Sequence, residues 1–250
     1  MFVPVLALTG LLVATLPASA ATFTYVDAGR GEALFTTGAG TLTITLTDLV
    51  VNPSSVADNI SGLGFTIDGP SAGALLTSQT GALRQVFGGA PATDGTYTDL
   101  DGGAEQTLYW NFDATTLFLS ALGTARPGGK PPDETILGSP ATDLYPSARP
   151  AAGKYHGGGS INGNGPHNPF VDGQAIFILS IPGVTSDTLI TSAVFRFGTD
   201  AADGFENGDC VSGCSPGTSD DTTVPEPASL LLLGSGLITG ASMLRRRPAK

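Results

Sequence analysis

The sequence predicts an all-β protein, an antiparallel β-sandwich or jelly roll, and three observations carry that expectation. The stretch GTLTITLTDLV, residues 40–50, alternates strictly: Leu42, Ile44 and Leu46 face one way while Thr41, Thr43, Thr45 and Thr47 face the other, as in a strand with one wet face. Other short runs rich in β-branched and aromatic residues lie between Gly, Pro, Asp and Asn turn signals. No segment of the body sustains a 3.6-residue apolar period, so helix is expected to be scarce.

In chain order the expected strands are ATFTYV (21–26), the alternating stretch 40–50, GLGFTI (62–67), QTLYWNF (106–112), TTLFLS (115–120), QAIFILSI (174–181) and TLITSAVFRFG (188–198). Trp110, the single tryptophan, is read as a core anchor because its large ring gains most from burial. From Gly123 to Phe170 the pattern gives way to dense Gly and Pro punctuation, which predicts long irregular chain of the kind that often carries function.

The first 20 residues, MFVPVLALTGLLVATLPASA, hold an apolar stretch, Pro17, and small residues at Ala18 and Ala20, the pattern of a secretory signal with an A-x-A cleavage site, although no Lys or Arg precedes the apolar part. The expected organisation is a signal peptide over 1–20, a β-sandwich ectodomain over 21–215, a polar linker over 216–224 and a terminal sorting segment over 225–250. The formal net charge of the 250 residues is −11, and between Ala21 and Val224 seven basic side chains face 21 acidic ones. Such a body repels nucleic acid and anionic lipid, and suits divalent cations or neutral, hydroxyl-rich polymers; acidity that merely keeps an exported protein soluble is the plainer alternative.

Candidate chemistry is sparse. Cys210 and Cys214, in GDCVSGCSPG, are expected to close a small disulfide loop in an exported chain, with a free thiol couple as the alternative; a zinc site would need two further ligands, and His156 and His167 lie far back in sequence. Asp99 and Asp101 in TDLDGG, and Asp200, Asp203, Glu206 and Asp209 in GTDAADGFENGDC, are candidate calcium ligands because hard cations want several oxygens on a turning chain. Neither cluster has EF-hand spacing, and solvated acidic turns are the competing reading. GPSAG, 69–73, matches the G-x-S-x-G of serine hydrolases, but Ser71 lacks the alternating strand and helix context that the elbow needs, so a turn is expected. His167, in NGPHNPF, has no visible acid or base partner and is read as structural. Asn59 heads an NIS glycosylation sequon. No catalytic residue and no cofactor are expected.

The end of the chain reads VPEPASLLLLGSGLITGASMLRRRPAK. Ala228 to Leu244 is an uncharged run of 17 residues, roughly 26 Å long as a helix, at the lower edge of what crosses a bilayer. Arg245, Arg246 and Arg247 would then hold the terminus in the cytoplasm and leave the body outside. Pro225 and Pro227 push Val224 and Glu226 toward extended geometry, a charged tripeptide that a membrane protease could grip. GLITG, 236–240, has the GxxxG spacing of close helix packing.

This combination of Pro225, Glu226, Pro227, apolar span and arginine cluster resembles the PEP-CTERM sorting signal of Gram-negative bacteria. With the signal and the arginines predicting export by the Sec machinery and transient anchoring in the inner membrane with the body in the periplasm, the resemblance implies processing by exosortase, an integral membrane cysteine-dependent transpeptidase-like enzyme, before release or transfer to the cell surface. It also implies a setting of exopolysaccharide, biofilm or floc. LTITLTD, SGLGFTIDG and the stretch from Pro166 to Thr199 are similar to the ectodomain of one group of these surface proteins, which supports the strand expectations and supplies no active site. The expected function is a sorted surface or matrix protein without visible chemistry; the alternatives are a secreted carbohydrate-binding module and a polysaccharide-acting hydrolase, which would need two carboxylates facing a cleft.

Overall fold

The computed structural model describes residues 20–87, 96–140, 161, 167–200 and 203–214. The chain divides into two units, Met1–Ser215 and Pro216–Lys250, and every described residue belongs to the first. The expected signal peptide and terminal apolar span lie outside the described residues, among which no helix is long and apolar enough to cross a membrane.

Three consecutive strands form an antiparallel meander: β1 (Ala21–Asp27), β2 (Gly31–Gly38) and β3 (Thr41–Asp48). All three alternate buried and open residues, which is what sets their register, since a one-residue slip would turn Phe23, Tyr25, Phe35, Leu42, Ile44 and Leu46 out of the core. β4 (Ile60–Ile67) and the long β5 (Leu75–Phe87) follow, and then come four short strands: β6 (Thr96–Asp99), β7 (Glu105–Thr107), β8 (Asn111–Asp113) and β9 (Phe118–Ser120). The Gly- and Pro-dense stretch contributes only β10 (Ile136–Leu137) before β11 (Phe170–Ser180), β12 (Ile190–Phe197), β13 (Phe205–Asn207) and β14 (Asp209–Ser212).

The fourteen strands among the described residues join in one sheet, antiparallel except where β10 runs parallel to β11. The all-β expectation therefore stands, but the layers are limbs of one continuous ladder rather than two separate sheets. One limb runs β14-β1-β2-β3-β11-β5, with β6 and β7 on the outer edge of β5; the other runs β13-β12-β4, with β9 and then β8 beside β4. β10 makes the ladder continuous, because Ile136 pairs with Val171 of β11 on one side and Ile60 of β4 on the other.

The limbs meet across an aromatic core. Phe35 of β2 lies edge-on to Tyr25 at 5.9 Å and tilted against Phe65 of β4 at 5.5 Å, and each fully buried ring of this kind contributes about 1.5–3 kcal/mol of transfer free energy. Trp110 meets its expectation as an anchor: it packs on Phe177 at 5.1 Å and donates its indole N–H to the Glu134 carbonyl at 2.9 Å. Gln79 of β5 holds the Trp110 backbone from both ends, accepting from its N–H and donating to its C=O. β4 is buried on both faces, and Gly62 explains how: a Cβ there would sit 2.8 Å from the Phe118 ring, so only glycine lets that ring close over the strand.

Candidate functional site

Among the described residues, the outer face of the β1-β2-β3-β11-β5 limb presents a regular surface across five strands. Because the alternate residues of each strand are committed to the core, the remaining ones line up across the ladder in defined rows. One row reads Thr22, Thr36, Thr43, Ile178 and Ser78; the next reads Thr24, Leu34, Thr45, Ile176 and Thr80. With strands about 4.8 Å apart, a five-strand row spans ~19 Å. The face mixes hydroxyls with methyl and aliphatic groups, and its charges sit at the margins: Glu32 in the row of Val26, Thr47 and Gln174, and Glu105 on β7, whose carboxylate accepts from the Thr80 hydroxyl at 3.0 Å. Gln174 donates to the Thr47 hydroxyl at 3.1 Å, tying that row together. At the β5 margin a cavity of about 270 Å³ is lined by Leu76, Thr77, Ser78, Gln79 and Thr107. Such a surface can offer hydroxyls to the hydroxyls of a neutral polymer and methyl groups to its C–H faces.

The strongly perturbed acids lie inside the fold. Arg84, itself buried in β5, meets Asp99 and Asp172 at 2.7 Å each and stacks over the Tyr97 ring. Glu134 is 1% exposed; burial pushes its carboxyl up to about 7, while the Tyr109 N–H bond pulls down, neighbouring Asp133 pushes up and Arg126 pulls down. Burial likewise raises Asp48 to about 8 against backbone N–H groups of Val50, Ile60 and Gly138. These carboxyls knit segments together: Glu134 accepts from Tyr109 N–H at 2.6 Å, and Asp48 from Val50 N–H at 2.9 Å.

The residues singled out in the sequence are dispersed. Ser71 sits in a turn in which its carbonyl accepts from Ala74 N–H and Gly73 takes φ +81°, while His167 places Nδ1 3.0 Å from the Pro132 carbonyl. Asn59 is fully buried and donates to the Thr135 hydroxyl at 3.0 Å, so the folded chain withholds the sequon from a glycosylating enzyme. Of the calcium candidates, Asp99 is engaged by Arg84, Asp101 takes φ +49°, and Asp203 accepts from the Asp200 N–H at 2.9 Å. Glu206 and Asp209 belong to β13 and β14, and among the described residues no three His, Cys, Asp or Glu side chains gather as metal ligands would. Cys210 and Cys214 are joined in a disulfide with Cα atoms 6.0 Å apart. Pro225, Glu226 and Pro227, and Arg245, Arg246 and Arg247, lie outside the described residues.

The decisive signal is the terminal segment. Residues 223–247 match the PEP-CTERM protein-sorting motif. No curated protein and no solved structure matches the chain. The PEP-CTERM motif takes in the Pro225–Pro227 tripeptide, the apolar run and the arginines, and it supports an exported surface protein sorted by exosortase. Sequence reasoning found this segment because its signal is local. It found only the β3 column of the threonine face, whose other columns become neighbours through pairings of up to 139 residues' separation, such as Thr41 with Ser180.

Proposed function

We propose that this chain is delivered through the Sec route, held in the inner membrane by its terminal apolar span with the body outside, and processed by exosortase at the Pro225–Glu226–Pro227 handle. The body then passes to the cell surface or matrix, where it acts by binding rather than by chemistry of its own. The PEP-CTERM match at 223–247 is the observation that carries this reading. The neutral, hydroxyl-rich outer face of β1, β2, β3 and β11, in a chain of net charge −11, favours an uncharged exopolysaccharide as the body's ligand in a biofilm setting. Glu226→Ala tests the sorting step: it leaves the apolar run and arginines in place, so the protein should accumulate uncut in the inner membrane. Normal processing of that variant would remove Glu226 from the handle.

A further inference from the structure

Residues 205–214 pair with one edge strand of each limb in turn, β12 and then β1. β13 pairs with β12 through Val194 with Asn207, Phe195 with Glu206 and Arg196 with Phe205. After Gly208, β14 pairs with β1 on the other limb, through Val26 with Asp209, Tyr25 with Cys210 and Thr24 with Ser212. Gly208 is the crossing point, donating its N–H to the Ala193 carbonyl at 2.9 Å, and the Tyr25 hydroxyl reaches over to the Ile190 carbonyl at 2.7 Å beside it. A cavity of about 420 Å³ remains between this strap and residues 189–193 at the start of β12, with Cys210 and Cys214 in its wall.

Side-chain burial holds this strap weakly. Phe205 is 55% exposed and Val211 62%, and β13 is open along its whole length. Charge does not hold it either: Asp27 at the end of β1 is raised first by burial and then by Glu206 and Asp209, against Arg30, so these strap acids crowd a like group. Phe205 meets the Phe118 ring at 5.6 Å and lies under the Arg196 guanidinium at 5.3 Å; beyond these, the strap is held by backbone pairing and by the hook at its end, where the bridged Cys210 and Cys214 pack on the core and Gly213, at φ +79°, lies so close to β1 that a Cβ would collide with the Thr22 carbonyl oxygen. A closed loop has fewer open conformations to lose when it docks, so the bridge favours the seated hook.

We propose that residues 205–214 form a redox-set latch, seated across β12 and β1 when the Cys210–Cys214 bridge is closed and released from the β1 edge when a dithiol reductant gives it two electrons and two protons, leaving two cysteine thiols and itself becoming a disulfide. In a reducing compartment the body would keep its core but leave the edge of β1 at Thr24–Val26 unpaired, available to another strand. In an oxidising compartment the latch shuts that edge, and the segment leading to the PEP-CTERM motif starts from a fixed strand. This inference rests on the pairing of the strap and is independent of the sorting step.

Native-state hydrogen exchange on the purified full-length protein, with and without a thiol reductant, is the test. Reduction should speed exchange in the peptide covering 205–214 and in that covering β1 by about tenfold or more, while β3 keeps its protection. Cys210→Ser with Cys214→Ser should reproduce this without reductant, and Gly213→Ala should reproduce it with the disulfide still closed by intact mass. Unchanged exchange on reduction, or an equal rise in β3, would overturn the latch.

Discussion

Phe35, Asp48 and Glu134 show how single side chains set the stability of this body. Phe35 is fully buried between Tyr25 and Phe65, so Phe35→Ala removes the contact between limbs and leaves a cavity; a loss of about 3–5 kcal/mol is expected in urea unfolding. Asp48 and Glu134 impose a pH dependence whose sign follows from their direction of shift. Burial raises both carboxyls, to about 8 and about 7, so each binds its proton more tightly folded than unfolded. Their contribution is therefore complete below the unfolded carboxylate range and is lost as pH rises through 7 and 8, at up to roughly 1.4 kcal/mol per pH unit for each group. Unfolding free energies should fall from pH 5 to pH 9, and Asp48→Asn, which keeps the acceptor for Val50 N–H, should flatten the upper part of that slope. A stability that is level or rising over this range would contradict the assignment.

At the scale of strands, β3 carries the clearest prediction because its two faces have separate duties. Thr43→Lys with Thr45→Lys leaves Leu42, Ile44 and Leu46 in the core, so unfolding should shift by no more than about 1 kcal/mol. The same change sets two long charged chains in the middle of the threonine rows, and co-sedimentation with an insoluble neutral glucan should drop at least several-fold; undiminished binding would exclude this face. β3 was legible in the sequence because its core residues are aliphatic at every second position. β5 was not, because Gly81 and Arg84 interrupt its pattern. Gly81 is required where a Cβ would sit 2.9 Å from Val171, and Arg84 is buried between Asp99 of the next strand and Asp172, which arrives from 88 residues away. β13 and β14 left no periodic trace either, since most of their side chains face solvent and backbone pairing sets their place.

For the whole molecule, body and terminal segment differ in how they can be read. The body's threonine face and its latch exist only through long-range pairing, whereas the PEP-CTERM motif at 223–247 is a continuous string whose chemistry is complete in one dimension. The arginines and the PEP tripeptide should also fail differently. Neutralising Arg245, Arg246 and Arg247 removes charges that each cost about 2.5–3.5 kcal/mol at the bilayer centre, so that variant should slip across and be released with its apolar run attached. Glu226→Ala should instead stay inserted and uncut. The most direct measurement of the central claim is the intact mass of the surface-localised protein from cells with and without exosortase. Processing predicts a surface product lacking residues 228–250 in the first case and full-length membrane-bound chain in the second, whereas surface protein that retains residues 228–250 in cells containing the enzyme would contradict the account.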